Sequence, residues 1–315
     1  MQKSRNIFRG ISFSGLVFTL FLAGCASSKK AYLFTSFHEP ANEGLRMLYS
    51  EDGYKWNDLD TVLLRPEIGR QKVMRDPSMV QGPDGVFHLV WTSSWQGDKG
   101  FGYSSSKDLI NWTPQQFLPV MEKEPGTVNV WAPELFYDAD TKKFLIIWAS
   151  CIPGRFERGI EADSNNHRMY ITTTTDFKTF TPTRLFLDPG FSVIDAVILK
   201  RAANDFVLVL KDNTRPNRNM KVAFSDKAEG PYSNVSAAFT PGFTEGPSVV
   251  KVKDSWLIYY DAYQKKTYDA VSTKDFKSFT DASSLVSIPQ GHKHGTIVPV
   301  KKKVLQQLLK NLNKQ

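Results

Sequence analysis

One stretch of the chain, residues 101–112, reads FGYSSSKDLINW and recurs in altered form four more times. Each full copy combines a short apolar segment, a Ser or Thr followed two residues later by Asp, and a closing aromatic residue. The other full copies occupy residues 45–56, 169–180 and 268–279, and a degenerate copy occupies residues 221–232. A strand and a turn that return about every 50 residues indicate a propeller or a solenoid.

Pairs of strands are predicted between these copies, from alternating apolar residues and from turn residues between them. Four of the pairs begin near an acidic residue: Asp76, Glu134, Asp195 and Glu245. Residues 294–300 supply a fifth inner strand, whose expected partners are residues 32–36 and the first copy of the repeat. Pairing between the two ends of the chain would leave no exposed sheet edge. The sequence therefore predicts an all-β, five-bladed β-propeller with the fifth blade closed by N- and C-terminal strands.

The chain is predicted to have four parts: a signal peptide (1–24), a tether (25–30), the propeller (31–300) and a basic C-terminal helix or tail (301–315). The apolar run at residues 11–23 is too short and wrongly flanked for a membrane-spanning helix. It ends at Leu22-Ala23-Gly24-Cys25, which resembles the bacterial lipobox. That resemblance implies cleavage before Cys25 and a lipid anchor on this residue. An ordinary secretory signal is the alternative.

A lipid anchor at Cys25 would make the protein a bacterial cell-envelope lipoprotein that contacts the membrane. The segment after Cys25 is basic rather than acidic, which favours the outer membrane facing the periplasm, and surface display stays open. The formal charge of +8 includes three basic residues of the leader, so +5 remains after cleavage. Basic residues are dispersed rather than gathered in a stripe, which argues against a nucleic-acid partner.

The acidic residues at the strand starts have a chemical interpretation. Inner strands of a propeller run along its central channel, so Asp76, Asp195 and Glu245 are expected to face a common pit. Crowded carboxylates cannot all ionise cheaply, so at least one pKa is expected to rise. One ionised and one protonated carboxyl group is the pair that glycoside hydrolysis requires. Taken singly, Asp76 and Glu245 also fit turns, whereas Asp195 interrupts an apolar stretch where an unpaired carboxylate is costly.

The chain resembles glycoside hydrolase family 43, a group of five-bladed propellers, over essentially all of the sequence after residue 30. The motifs that carry the resemblance are Arg75-Asp76-Pro77, Trp131-Ala132-Pro133-Glu134, Ile194-Asp195-Ala196, Glu245-Gly246-Pro247 and His294-Gly295. The resemblance implies an O-glycosyl hydrolase that inverts anomeric configuration. It also implies that Asp76 is the general base, Glu245 the general acid, and Asp195 the carboxylate that orients the acid and raises its pKa.

Five further residues are candidates for substrate binding. Trp95 and Trp131 could stack on a sugar ring, with core packing as the alternative for each. Arg218 could reach a substrate hydroxyl, with a solvated loop position as the alternative. Glu134 replaces the aspartate that is more usual in its motif. His294 matches a family histidine that holds water or a cation such as calcium in the central channel, and a hydrogen-bonded structural histidine is equally consistent; no other cofactor is implied.

The resemblance points to an oligosaccharide or polysaccharide substrate of plant type, from which a terminal or side-chain sugar is removed. α-L-Arabinofuranosidase is the expected activity and β-xylosidase the alternative within the family. A retaining fructan or sucrose hydrolase is a rival, although that group carries Asn-Asp-Pro-Asn in its first blade and cysteine after its acid. The last rival is a sugar-binding propeller without catalysis.

Overall fold

The computed structural model describes residues 30–157 and 159–314. The predicted signal peptide, Cys25 and most of the tether lie outside these residues. Within them, no helix is both long enough and apolar enough to cross a membrane.

The described residues begin with three strands that belong to the last blade: β1 (Lys30–His38), β2 (Arg46–Ser50) and β3 (Asn57–Asp58). Blade 1 contains β4 (Arg75–Gln81), β5 (Phe87–Thr92), β6 (Phe101–Ser106) and β7 (Gln116–Leu118). Blade 2 contains β8 (Trp131–Asp138), β9 (Lys143–Cys151), β10 (His167–Thr174) and β11 (Arg184–Leu187). Every pairing in these blades is antiparallel.

Blade 3 contains β12 (Val193–Ala202), β13 (Asp205–Asp212) and β14 (Asn219–Ser225). Blade 4 contains β15 (Glu245–Val252), β16 (Ser255–Ala262), β17 (Thr267–Thr273) and β18 (Thr280–Asp281). The chain then returns to the last blade through β19 (His292–Lys293) and β20 (Ile297–Lys301), and it ends in helix α1 (Lys302–Leu312).

Blade 5 joins the two ends of the chain. Strand β1 pairs with β2 on one side and with β20 on the other, in a register that sets Phe34 opposite Ile297. The end of β1 also pairs with β19, with His38 opposite His292. The predicted five-bladed propeller, closed by N- and C-terminal strands, is confirmed.

The repeated sequence forms the third strand of a blade and the turn after it. In residues 101–112, the amide of Leu109 donates to Ser106 Oγ at 2.8 Å. The amides of Ile110 and Asn111 donate to Asp108 Oδ1 at 3.0 and 2.8 Å. Equivalent bonds occur at Ser50 and Asp52, Thr174 and Asp176, and Thr273 and Asp275. The side chains thus satisfy amides that leave the strand ladder, which is why this turn recurs in the sequence.

The apolar core lies in layers between neighbouring blades. One layer joins Val90 and Phe101 of blade 1 to Ile146 and Trp148 of blade 2. Helix α1 buries Leu305 and Leu308 against a layer shared by blades 5 and 1. Each blade is therefore held by its neighbours, and the inner strands are fixed around a common channel.

Substituting Asp108 tests the turn. Asp108→Ala removes the acceptor for two amides, and we expect a loss of about 1 kcal/mol in the free energy of unfolding, measured with urea. The control is Asp226→Ala in the degenerate copy, where residue 227 at the equivalent position is lysine and the turn keeps only the Ser225 bond. An equal loss in both variants would contradict this account of the repeat.

Candidate active site

Four inner strands begin with a β-bulge. The register of the ladder shifts between Arg75 and Ser78, Trp131 and Glu134, Ile194 and Val197, and Glu245 and Ser248. A residue with left-handed backbone lies inside each bulge: Asp76 (φ 50°), Ala132 (45°), Asp195 (50°) and Gly246 (59°). A bulge bends its strand and changes the direction of the side chain it carries. The equivalent positions of the four blades can therefore be aligned from the structure.

This alignment distinguishes the four acidic residues at the strand starts. The four acidic residues do not share a register, since only Asp76 and Asp195 lie at the left-handed position of the bulge. Glu245 comes one residue before Gly246, and Glu134 comes two residues after Ala132. The aspartates thus form an equivalent pair, and the two glutamates approach from other points along their strands.

The bulges surround a narrow pit at one end of the channel. Its lining includes the side chains of Asp76, Glu134, Asp195 and His294. Glu245 adjoins the pit, because the residues that follow it, Gly246 and Pro247, belong to the lining. Two of the three predicted catalytic carboxylates, those of Asp76 and Asp195, therefore line the pit, and that of Glu245 lies beside it. Trp95, Trp131 and Arg218 are not part of this lining.

His294 lies between the two aspartates. Its Nε2 is hydrogen-bonded to Asp76 Oδ1, and its Nδ1 is 3.9 Å from Asp195 Oδ2. Burial lowers the pKa of His294, but the charges of Asp76 and Asp195 outweigh burial and raise it to about 10. Burial raises the pKa of Asp76, but the His294 charge outweighs it and the pKa falls to about 2. Asp76 is consequently ionised at neutral pH, and its Oδ2 accepts a further bond from Thr92 Oγ1 at 2.8 Å.

These contacts bear on the channel cation that the family resemblance implies. A protonated imidazole has no free lone pair, and Nε2 of His294 is already engaged by Asp76. Among residues 30–157 and 159–314, the group of side chains with metal-ligand geometry does not include His294. His294 therefore does not fit a direct ligand of such a cation, and it fits the alternative of a hydrogen-bonded histidine.

Asp195 and Glu245 have opposite surroundings. Asp195 Oδ2 accepts a bond from the amide of Gly246 at 3.1 Å, and burial raises the pKa of Asp195. Burial also raises the pKa of Glu245, but the ammonium of Lys211, 2.8 Å from Glu245 Oε2, outweighs burial and holds the pKa below its usual value. The charge of Glu245 also raises the pKa of Asp195, whereas the net effect on Glu245 itself is a lowered pKa. Of the four acidic residues at the strand starts, Asp195 and Glu134 have a raised pKa, and burial raises that of Glu134 to about 7.

Sequence reasoning missed Lys211. This side chain is only 2% exposed, and its strand β13 places it opposite Ile194, beside Asp195. In the sequence it follows five apolar residues and precedes Asp212, a pattern that is typical of a strand ending in solvent. The sequence did contain a signal for Lys211. This residue lies at the channel end of its predicted strand, opposite the start of the strand that carries Asp195.

Two glycines allow the backbone to approach these groups closely. A Cβ on Gly246 would lie 2.0 Å from the side chain of His294, and the φ of +59° is strained for other residues. A Cβ on Gly295 would lie 2.0 Å from the carbonyl oxygen of Thr35. The pairs Glu245-Gly246 and His294-Gly295 thus follow from close packing in the pit.

Trp95 and Trp131 lie together near the pit. Their ring centroids are 4.6 Å apart, and Trp131 Nε1 donates to the carbonyl oxygen of Trp95 at 2.8 Å. Trp131 also stacks on His167 and packs against the core, so its ring is held by protein contacts. Trp95 is 46% exposed, and the guanidinium of Arg75 lies 4.8 Å from its ring. Trp95 is therefore the better placed of the two to contact a ligand.

Arg218 lies in the loop before β14. Its carbonyl oxygen accepts a bond from the amide of Thr244, the residue before Glu245. Its Nε is buried and has no hydrogen-bond partner in the described part of the chain. The residue is thus next to the start of β15 rather than in a solvated loop.

The fold and the carboxylate pit define a class, the propeller glycoside hydrolases, and a family model agrees. The model described as "Probable glycosyl hydrolase domain", related to glycosyl hydrolase family 43, matches residues 28–306. Because the match covers most of the chain, the protein belongs to this family and is a glycoside hydrolase enzyme. No curated protein matches the sequence significantly.

Solved structures share the fold. An α-L-arabinofuranosidase from Clostridium thermocellum ATCC 27405 is 14% identical, over 84% of this chain and 93% of that chain, with a TM-score of 0.58. An α-L-arabinanase from Cellvibrio cellulosa, complexed with arabinohexaose, is 14% identical over 82% and 95%, with a TM-score of 0.58. A family 43 β-1,3-galactosidase with galactodeoxynojirimycin is 14% identical over 81% and 90%, with a TM-score of 0.57. At these identities the likeness establishes the propeller fold.

The pair of His294 and Asp76 predicts how stability depends on pH. A pKa of about 10, against an ordinary 6.5, means that stabilisation by His294 is complete below pH 6.5 and is lost as the pH rises to 10. We expect the free energy of unfolding to fall over this range by on the order of a few kcal/mol, and to fall much less in His294→Gln. Urea unfolding at several pH values measures this.

His88→Gln is the matched control. Burial lowers the pKa of His88 to about 4, so this histidine is neutral throughout the range and its loss leaves the slope unchanged. If the free energy of unfolding fell equally with pH in the wild type and in His294→Gln, that result would contradict the ion pair between His294 and Asp76.

Proposed function

We propose that this glycoside hydrolase removes terminal or side-chain α-L-arabinofuranosyl groups from plant-type glycans, with inversion of anomeric configuration. The observation that carries the proposal is the meeting of Asp76, Asp195 and Glu245, from three blades, around one pit in different electrostatic surroundings. The arabinofuranosyl specificity is supported by the family resemblance and by the likeness to proteins described as an α-L-arabinofuranosidase and an α-L-arabinanase.

Asp76 suits the role of general base. Its carboxylate is held ionised by His294, so it can accept a proton from a water molecule. The oxygen of that water attacks the anomeric carbon on the face opposite the leaving group. An inverting enzyme needs room for this water between its two carboxyl groups, which are typically about 6.5–9.5 Å apart.

Glu245 suits the role of general acid. In its protonated form it donates a proton to the glycosidic oxygen as the bond from that oxygen to the anomeric carbon breaks. The products are the sugar with inverted configuration and the released alcohol. Asp195 contributes by accepting the Gly246 amide, which fixes the peptide next to Glu245.

Lys211 determines when Glu245 carries its proton. The ammonium favours the ionised carboxylate, so only a small fraction of the free enzyme has a protonated Glu245 at neutral pH. The value of kcat/KM, which reflects the protonation states of the free enzyme, should therefore be highest in acid.

Glu245→Gln tests the acid. We expect kcat on aryl α-L-arabinofuranosides to fall by about 10²–10⁴-fold, since the amide cannot supply the proton. NMR of the first product formed by the wild type should show the inverted anomer. Glu229→Gln is the matched control, because Glu229 pairs with Arg184 on the outer part of the blades.

The same assay separates the alternatives. Turnover of xylosides or β-1,3-galactosides instead of arabinosides would replace the proposed sugar and leave the mechanism in place. A retained anomer would favour the fructan or sucrose hydrolase mechanism. Sugar binding without turnover on any glycan would indicate the non-catalytic propeller.

Lys211→Met tests the control of proton supply. Removing the ammonium should raise the pKa of Glu245, so the alkaline limb of the pH profile of kcat/KM should move to higher pH. Lys221→Met is the control, because Lys221 pairs with Asp212 in the same blade and does not contact Glu245. An alkaline limb unchanged in Lys211→Met, in a variant whose circular dichroism is normal, would remove Lys211 from the mechanism.

A further inference from the structure

A cluster of potential metal ligands lies in blade 5, outside the pit. It consists of His38 at the end of β1, Asp58 in β3 and His292 in β19. One nitrogen or oxygen atom of each residue can be chosen so that all three lie within 4.8 Å of one another. His292 is buried, and the other two are partly buried. Strands from both ends of the chain therefore converge on this point.

The hydrogen bonds of His292 suit a metal ligand. Its Nδ1 is hydrogen-bonded to Ser36 Oγ, and its Nε2 is 2.8 Å from Asp58 Oδ2. When Nδ1 carries the proton and donates to Ser36, the lone pair of Nε2 faces Asp58. Metal-binding histidines are commonly oriented by a bond of this kind at the other ring nitrogen.

His38 supplies an independent observation. Its Nε2 is buried and has no hydrogen-bond partner within the described ranges, although the ring lies 4.4 Å from that of His292, centroid to centroid. A hydrogen bond between His292 and Asp58 explains those two residues without an ion, but it leaves this nitrogen unsatisfied. Buried polar atoms without partners are uncommon and costly.

We propose that His38, Asp58 and His292 bind one divalent transition-metal cation of the Zn²⁺ class. Two imidazole nitrogens and one carboxylate oxygen are ligands that this class accepts, with a fourth position left for water. His38 and His292 also line a groove of about 690 Å³, which gives the fourth position access to solvent. The nearby cation Arg46 is paired with Glu43, at 3.0 and 2.7 Å, so its charge is partly compensated.

The position of the site indicates its effect. His292 is two residues before His294, which enters the catalytic pit, and the intervening Lys293 is paired with Asp261 at 2.8 Å. A cation bound to His292, His38 and Asp58 ties this segment to β1 and β3. It thus stabilises the closure of the ring and the approach of His294 to the pit without taking part in the reaction.

Co²⁺ titration of tag-free protein, with Cys25 alkylated, tests the proposal. We expect saturation at one ion per chain, visible absorption bands typical of low-coordinate Co²⁺, and displacement of Co²⁺ by Zn²⁺. A free Zn²⁺ concentration a hundredfold above its Kd should raise Tm by about 5 °C relative to protein treated with EDTA.

Variants locate the site. His38→Gln should abolish the Co²⁺ bands with little effect on folding, because the imidazole of His38 makes no hydrogen bond at Nε2. Ser36→Ala should weaken Co²⁺ affinity by about 10–100-fold, the usual effect of losing a partner behind a ligand. Glu51→Gln, a change in blade 5 at an acid that pairs with Lys302 at 2.8 Å and not with the cluster, should leave the affinity unchanged.

Two results would overturn the proposal. The first is the absence of saturable Co²⁺ binding up to millimolar concentration by wild-type protein. The second is equal affinity in the wild type and in a folded His38→Gln variant, which would place the ion elsewhere. Neither result affects the glycosidase assay, so the metal site and the catalytic mechanism are tested independently.

Discussion

The β-bulge at the start of four inner strands determines where the functional side chains of the pit point. Asp76 and Asp195 adopt left-handed backbone there, a conformation that costs energy for residues other than glycine. Bonds from Thr92 to Asp76 and from the Gly246 amide to Asp195 hold the two carboxylates in place. Because the same bulge recurs in neighbouring blades, two strands far apart in sequence present aspartates to one another across the channel.

Two cations give the carboxyl groups of the pit different charge states. His294 serves the Asp76 side and Lys211 serves Glu245, whereas Asp195 and Glu134 are dominated by burial. The four carboxyl groups therefore differ in pKa, which limits the repulsion among them, and they do not titrate as one group. The proposed base and acid, Asp76 and Glu245, both have a lowered pKa, so Glu245 has to take up a proton before it can act as an acid.

The fold could be predicted from the sequence because its repeated turn is local: a Ser or Thr and an Asp two residues later bond their own backbone. The aspartates of the site were also accessible, since Asp195 interrupts an apolar strand. The bulge register could not be predicted, because an extra residue in one strand does not change the alternation of apolar and polar residues in the neighbouring strands. Lys211 and the lowered pKa of Glu245 were missed for a related reason, since both depend on a contact between two strands of different blades.

Closure of the ring by β1 has a consequence for biosynthesis. Strand β1 is synthesised well before one of its two main partners, β20, because the four other blades lie between them in the sequence. His294 lies just before β20, so a partly synthesised chain has no ion pair at Asp76 and a blade with an open edge. Such long-range pairing folds slowly, and it cannot form before both strands have been synthesised. Until β20 has been synthesised, the nascent polypeptide thus has neither a closed ring of blades nor a complete pit.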